Sequence, residues 1–395
     1  MWKRKYYQNP RRLALAAIAK ETQETTPTIA AGLPHMDPTN SEKIDLETLP
    51  ALDATKCPRF KVSESVYGTT VRVFNQDSFD AAIAMPSSIL GIRSKTATQA
   101  AENEILDHLR SYAAAARSLN STASRVAVLN MASEVSPGGG WLKGATAQEE
   151  ALCYRSSLAA SLHRSLYPIA PRAGVYTRDV VIFRGSVSDG HKLMVPETAV
   201  ENLPVVSVLS VAGIRRPEVR EVGVKEAGGT ETSAKLQDDG ESGEARKAEK
   251  ASNAEQADKL EVGEPAGSDD SQGKGKRKDQ KGKRTTEPKT PKGPMQFAHP
   301  ADRALTKDKM RLCLRMAATK GHTMLVLGAL GCGAFKNPPQ EIANCWMEVL
   351  SGEEVAGGWF KEIWFAVYDR RNEGNFEIFK DMFDGKVVCE VKTSS

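Results

Sequence analysis

Short apolar runs alternate along the chain with longer segments in which apolar residues recur at helical spacing. Apolar runs of this length are typical of strands buried on both faces of a sheet, and the longer segments are typical of helices. The predicted strands are Val71–Phe74, Val126–Leu129, Val180–Phe183, Val205–Val211, Met324–Leu327 and Ile363–Tyr368. The predicted helices are Arg11–Thr25, Thr98–Ser118, Gln148–Leu166, Arg303–Lys320, Pro338–Leu350 and Asn375–Phe383.

Alternation of strands and helices predicts the fold class. Helices that follow strands one by one cover both faces of a parallel or mixed sheet. The expected architecture is therefore α/β, with three layers in the order α/β/α.

One segment, residues 217–296, departs from this pattern. It contains no Trp or Tyr and no Phe, and Glu, Lys, Gly, Ala, Ser and Asp dominate it. Such a composition buries too little apolar surface to offset chain entropy, which predicts a disordered insert. Because neither flank has enough strands to fold alone, residues 1–216 and 297–395 are predicted to form one discontinuous domain. The basic run 273–284 is interpreted as a solvated linker, with nuclear import or weak nucleic-acid contact as alternatives.

Composition narrows the class of protein further. Of the 395 residues, 40% are hydrophobic and 26% charged, as in soluble proteins with a sizeable core. No apolar run is long enough to span a bilayer, and no secretory signal is evident, so an intracellular protein of the nucleus or cytoplasm is expected. The six cysteines and six histidines are scattered without metal-ligand spacing, which predicts reduced thiols, no metal and no cofactor. A monomer is expected.

The strand at Val126–Leu129 leads into the first candidate site. Gly138, Gly139 and Gly140 follow it, and a helix begins near Thr146, with Gln148, Glu149 and Glu150 in its first turn. Consecutive glycines let backbone N–H groups approach a ligand, and a helix N-terminus favours phosphate. The alternatives are a flexible turn for the glycines and a capping role for the carboxylates.

A second glycine-rich loop, residues 325–339, also follows an apolar strand and precedes a helix. It reads L-V-L-G-A-L-G-C-G-A-F-K-N-P-P and matches neither the P-loop nor the dinucleotide-binding pattern. Phe335 lies where it could pack against a base or ribose. Two such loops at one edge of a sheet could converge on a single diphosphate.

These motifs together resemble the microbial branch of the poly(ADP-ribose) glycohydrolases. The glycines followed by Gln148-Glu149-Glu150 resemble the signature of that family, and similar segments cover residues 11–217 and 297–385. The resemblance implies a macrodomain fold, with the N-terminal helix 11–25 included in the domain. It also implies hydrolysis of the ribose–ribose O-glycosidic bond of poly(ADP-ribose), with release of ADP-ribose.

The resemblance also implies roles for individual residues. Glu150 matches the catalytic general acid/base, and Glu149 matches the residue that holds the distal ribose. Asp77 is a weaker match to an aspartate that reads adenine, and a cap or turn role is its alternative. The remaining expected ADP-ribose contacts are Gly138, Gly139, Gly140, Gln148, Asn130, Gly331, Cys332, Gly333, Ala334 and Phe335.

Two other functions fit the same cleft. The protein could remove single ADP-ribose units from modified proteins, or it could bind ADP-ribose as a reader without catalysis. The intact Glu149-Glu150 pair favours an enzyme over a reader, because binding alone requires no acid. A nucleic-acid adaptor acting through the basic run is a third alternative, although a net charge of only +4 gives it little support.

Overall fold

The computed structural model describes residues 9–89, 111, 114–117, 121–222 and 293–389. The strands are β1 (Glu42–Asp45), β2 (Lys61–Ser63), β3 (Val66–Phe74), β4 (Val126–Met131), β5 (Ala173–Val181), β6 (Val205–Val211), β7 (Val219–Glu221), β8 (Met295–Phe297), β9 (Met324–Leu327), β10 (Glu362–Ala366) and β11 (Val387–Cys389). The helices are α1 (Pro10–Ala31), α2 (Ser78–Ile89), α3 (Gln148–Arg155), α4 (Leu158–Ser161), α5 (Pro300–Thr319), α6 (Pro339–Leu350) and α7 (Asn375–Phe383).

The main sheet is mixed, with a parallel centre. Its strand order is β1-β5-β6-β4-β9-β10-β3-β11, and β2 pairs with β3. The neighbours from β6 to β3 run parallel to one another, whereas β5 and β11 are antiparallel to β6 and β3. Five parallel strands therefore end at the same edge of the sheet.

Each face of the sheet is covered by a separate hydrophobic core. One core joins α5, α6 and α7 to side chains such as Leu129 and Leu327, and the other joins α1, α2 and α3 to side chains such as Val128 and Val326. Because successive strand residues point to opposite faces, one apolar run supplies both cores. The predicted three-layer α/β arrangement is thus confirmed.

Several predicted elements agree closely with the structure. The bounds of β6, β9 and α7 are those expected, and α5 and α6 differ from expectation by a few residues at most. The N-terminal helix continues beyond the predicted Thr25 to Ala31, and the Asn9 side chain caps it by accepting from Arg11 N at 3.0 Å. The predicted helix at 98–118 lies largely outside the described residues.

Strand β5 begins earlier than predicted. It starts at Ala173 rather than Val180, and polar residues that interrupt the apolar run are buried within it. Asp179 accepts from Arg125 Nη1 at 2.5 Å, and Arg125 is fully buried. An apolar pattern cannot reveal such a pair, because each charge is neutralised by a residue far away in the sequence.

The predicted helix at 148–166 is wrong as a continuous element. Helix α3 ends at Arg155, and Ser156 adopts an extended backbone conformation that forms a β-bridge with Ile182. A short α4 and a 3-10 turn then complete the segment. This break lets the chain return toward the sheet edge where α3 began.

The ends of the predicted insert are ordered. Strands β7 and β8 pair antiparallel, with Val219 opposite Phe297 and Glu221 opposite Met295. The boundaries at 217 and 296 therefore move inward, and residues 223–292 lie outside the described residues. Within the described part of the chain, no helix is long and apolar enough to cross a bilayer.

The pairing of β7 with β8 forms a two-stranded ribbon. We therefore predict that residues 223–292 can be replaced by a short Asn-Gly turn. Val222 N already donates to Pro294 O at 2.9 Å, so the two chain ends are adjacent. Shortening the loop lowers the entropy of the unfolded chain, so the free energy of unfolding should stay equal or rise by up to about 2 kcal/mol. Urea unfolding of the two proteins measures this.

A matched deletion of 217–296 removes the ribbon as well and should lower the free energy of unfolding. Loss of cooperative unfolding after the shorter deletion would contradict the prediction.

Candidate functional site

The two glycine-rich loops leave neighbouring parallel strands. Strand β4 pairs in parallel with both β6 and β9, and the loops follow β4 and β9 directly. The carboxyl ends of parallel strands are where α/β sheets bind ligands, since loops from adjacent strands meet there. The expected placement of both loops at one sheet edge is therefore found.

The first glycine loop is a tight turn that only glycine fits. Gly138 and Gly139 have φ values of 67° and 59°, in the left-handed region. A Cβ atom on Gly139 would lie 2.5 Å from Glu150 Oε1 and 3.0 Å from Glu149 Oε2. Both carboxyl groups thus converge on Gly139.

Both carboxyl groups are buried, and each is held by one backbone N–H. Glu149 is 3% exposed, and its Oε2 accepts from Ser133 N at 2.7 Å. Glu150 is 7% exposed, and its Oε1 accepts from Gly140 N at 2.8 Å. The second oxygen of each carboxyl group is buried with no hydrogen-bond partner among the described residues.

Asn130 adds a third acceptor to this cluster. It is the fifth residue of β4 and fully buried, and its Nδ2 donates to Ser210 Oγ at 3.0 Å on the neighbouring strand. Its Oδ1 has no partner within the described part of the chain. Unpartnered buried acceptors are costly, so their clustering indicates a ligand rich in hydrogen-bond donors.

Gln148 has a structural role in this arrangement. Its Oε1 accepts from Met131 N at 2.9 Å, and its Nε2 donates to Leu129 O at 2.7 Å and to Ser78 Oγ at 3.2 Å. These bonds fasten the first turn of α3 to the end of β4. The predicted ligand contact by Gln148 competes with these bonds for the same amide atoms.

The second glycine loop is held against the loop that follows β6. Asn337 Nδ2 donates to Ile214 O at 2.6 Å and to Gly331 O at 3.1 Å, and Arg216 N donates to Phe335 O at 2.8 Å. Gly333 and Ala334 are exposed, and a Cβ atom on Gly333 would meet nothing within 4 Å. Their backbone is therefore accessible at the sheet edge.

Two predicted site residues have other contacts. Asp77 caps α2 by accepting from Phe79 N at 2.8 Å, and it forms an ion pair with buried Arg155. These contacts agree with the alternative role of Asp77 as a cap. Burial raises the pKa of the Cys332 thiol, which makes a reactive thiolate unfavourable.

Comparison with known proteins agrees with this geometry. Residues 22–187 match the family described as the microbial-type PARG catalytic domain. This segment, under half of the chain, is therefore similar to a microbial-type PARG catalytic domain. It contains the first glycine loop, Asn130 and both glutamates but ends before the second glycine loop.

Solved structures of poly(ADP-ribose) glycohydrolase (PARG) are similar to the whole chain. The enzyme from Thermomonospora curvata has a TM-score of 0.51 and 20% identity, over 93% of this chain and 99% of its own. The structure of that enzyme with the inhibitor ADP-HPD has a TM-score of 0.49 and 20% identity, over 94% of this chain and 100% of its own. The structure of the Deinococcus radiodurans enzyme with ADP-ribose has a TM-score of 0.49 and 21% identity, over 90% of this chain and 97% of its own. No curated protein matches at a significant level.

Two aromatic residues that the motifs did not identify support the first glycine loop. The Tyr154 hydroxyl donates to Trp141 O and Ala145 O, both at 2.8 Å, and the two rings pack edge to face. Arg155, the next residue, bonds Asp80 at 2.6 Å as well as Asp77. Helix α3 is therefore fixed at both ends.

The described residues contain no cluster of three metal-ligating side chains.

The electrostatics of the site distinguish Glu149 from its neighbours. Burial raises the pKa of Glu149, the charge of Glu150 adds to this rise, and hydrogen bonding such as that from the Ser133 N–H lowers it; the resulting pKa is about 8. The Glu149 carboxyl is therefore mostly protonated at neutral pH. In that state it can both donate a hydrogen bond and accept one.

This pKa predicts a pH-dependent stability. Between the usual value of 4.5 and about 8, the folded protein holds a proton that the unfolded chain has lost. The free energy of unfolding should therefore fall as pH rises through this interval, by up to about 1.4 kcal/mol per pH unit. Urea unfolding at a series of pH values measures the slope, and Glu149→Gln should remove it.

The matched control is Glu24→Gln on the exposed surface of α1, which should keep the slope of the unmodified protein. Equal slopes for Glu149→Gln and the unmodified protein would contradict the raised pKa.

Proposed function

We propose that this protein hydrolyses the O-glycosidic bond between ribose units of poly(ADP-ribose) and releases ADP-ribose. The observation that carries the proposal is the group of three unpartnered, buried acceptors beside the Gly139 turn. They are Asn130 Oδ1, Glu149 Oε1 and Glu150 Oε2. Ribose supplies adjacent hydroxyl donors, so a bound sugar would satisfy acceptors that the described protein groups leave unpaired. The assignment of the fold as a macrodomain belongs to the same proposal.

Glu150 is the proposed general acid and base. Its Oε1 is held by Gly140 N, which leaves Oε2 as the oxygen that faces the substrate. As the bond to the anomeric carbon breaks, Glu150 gives its proton to the leaving ribose oxygen. Water then attacks the anomeric carbon and returns a proton to Glu150. Glu149, protonated at neutral pH, holds the distal ribose.

The diphosphate is proposed to lie between the two glycine loops. Gly138, Gly139 and Gly140 approach it from the end of β4, and the second loop approaches from the end of β9. In the first loop, Gly139 N and Gly140 N donate to Ser136 O and Glu150 Oε1, so its glycines would contribute close approach of the backbone. The N–H groups proposed to point at phosphate oxygens are those of the exposed Gly333 and Ala334 in the second loop. The proposed contacts of the second loop are Gly331, Cys332, Gly333, Ala334 and Phe335.

Two alternatives share this cleft and are outcomes of the same assay. A hydrolase for single ADP-ribose units would release ADP-ribose from singly modified protein but not from polymer. A reader would retain polymer without releasing ADP-ribose. The insert is proposed to be accessory, so hydrolysis should survive its removal. The nuclear or cytoplasmic location and the monomeric state stay predictions.

Glu150→Gln is predicted to lose activity while keeping the fold. Glutamine retains an oxygen to accept from Gly140 N but has no carboxyl proton to transfer. Release of ADP-ribose from polymer should fall by about a hundredfold or more. Affinity for ADP-ribose, measured by calorimetry, should stay within a few-fold of the unmodified protein.

Glu24→Gln removes a surface carboxylate and should leave hydrolysis unchanged. Activity of Glu150→Gln near that of this control would exclude Glu150 as the acid. Failure of the unmodified protein to release ADP-ribose would exclude the proposed function itself.

Gly139→Ala is predicted to lower hydrolysis more than its effect on stability explains. The new Cβ atom would lie 2.5 Å from Glu150 Oε1, the flexible end of a side chain, so the carboxyl group would turn away. Gly190→Ala is the matched control, since Gly190 has a φ of 66° but open space around its Cβ position. Both variants should lose about 1–2 kcal/mol through the same backbone strain.

Only Gly139→Ala should lose hydrolysis, by about tenfold or more. Urea unfolding and release of ADP-ribose, measured on both variants, test the two parts separately. Equal activity in the two variants would show that the Glu150 position does not depend on Gly139.

A further inference from the structure

Tyr167 is a half-buried residue outside every motif described above. It follows the 3-10 turn Arg164–Leu166, and its ring packs against the core formed by α1, α2, α3 and the sheet. Its hydroxyl oxygen is buried, and none of the described residues bonds it. A phenylalanine ring would fill this space without burying an unsatisfied hydroxyl, so packing alone does not account for tyrosine.

The surroundings of Tyr167 connect it to the proposed sugar site. Ile169 N donates to Glu134 O at 2.8 Å, and Ser133, the residue before Glu134, holds the Glu149 carboxyl. The loop that carries Tyr167 is therefore fixed to the segment that binds Glu149. Tyr167 also interacts electrostatically with Glu149 and with Cys153, which lies behind the glycine loop.

Burial raises the pKa of the Tyr167 hydroxyl, and the charges of Glu149 and Cys153 raise it further. The hydroxyl therefore stays protonated over the range in which the enzyme would work. A neutral phenol both donates and accepts a hydrogen bond. A sugar hydroxyl, which does the same, is its matching partner, whereas a carboxylate or a phosphate only accepts.

We propose that the Tyr167 hydroxyl binds a hydroxyl group of the ribose that Glu149 holds, and so selects ligands that carry this distal ribose. The proposal rests on the proposed function, because it assigns a further contact within the same site. Two buried, unpartnered atoms, Tyr167 Oη and Glu149 Oε1, would then be satisfied by one sugar. Tyr167 is a specificity-determining residue and takes no part in the proton transfer.

The test compares Tyr167→Phe with Tyr176→Phe. Tyr176 is also buried, but its hydroxyl bonds His322 Nε2 at 2.9 Å and lies away from the glycine loops on β5. Each variant removes one hydroxyl and keeps the ring. Affinity for ADP-ribose and for ADP, which lacks the distal ribose, is measured by calorimetry alongside urea unfolding and release of ADP-ribose from polymer.

We expect Tyr167→Phe to weaken ADP-ribose binding by about tenfold, to leave ADP binding unchanged and to keep or raise the urea midpoint. Tyr176→Phe should lower the urea midpoint and leave the preference for ADP-ribose over ADP unchanged. Hydrolysis of polymer by Tyr167→Phe should fall mainly through a higher KM.

A lower urea midpoint with an unchanged preference for ADP-ribose in Tyr167→Phe would overturn the proposal, because the hydroxyl would then be structural. Equal loss of ADP and ADP-ribose binding would also overturn it. These outcomes are distinct from failure of the proposed function, in which the unmodified protein binds ADP-ribose but does not hydrolyse polymer.

Discussion

Burial of two adjacent carboxyl groups is the constraint on which the rest of the site depends. Removing such polar groups from water is costly unless hydrogen-bond donors compensate, and burial raises the pKa of Glu149. The chain supplies one backbone donor to each, from Ser133 and Gly140, and leaves one oxygen of each unbonded by described groups. Because the donors are backbone groups, the turn that presents them must keep its shape. The left-handed backbone conformation of Gly138 and Gly139 gives the turn this shape.

The parallel sheet explains how residues distant in sequence form one cluster. Asn130 lies next to the end of β4, Ser210 lies beside it on β6, and the second glycine loop follows β9 on the other side of β4. Apolar residues fix the register of these strands, since a shift by one residue would exchange the two buried faces. The two cores therefore set the positions of polar groups that contribute nothing to either core. Packing and chemistry are linked through strand register rather than through direct contact.

Much of the fold could be predicted because its signals are local. Strands β6 and β9 are uninterrupted apolar runs, and α7 has an apolar face at helical spacing, so their bounds could be read from the sequence. The break at Ser156 and the early start of β5 could not, because both depend on partners far along the chain. The bonds of Gln148 to β4 also depend on the fold, so the motif predicts a ligand contact for Gln148 but not these bonds. Tyr167 carries no local pattern, and only the return of the chain after α4 connects its loop, through Ile169 N and Glu134 O, to the segment that holds Glu149.

Unpartnered polar atoms indicate where such a structure sacrifices stability for function. A core optimised for stability alone would pair or remove Asn130 Oδ1, Glu149 Oε1 and the Tyr167 hydroxyl, since each buried polar atom without a partner destabilises the fold by about 1–3 kcal/mol. A bound sugar supplies the missing partners without new packing, because the acceptors are already in place. Part of the binding free energy would then come from giving hydrogen-bond partners to these buried polar atoms. Apolar ligands of the same size cannot supply these partners, so under the proposed function the site would select for hydroxyl groups.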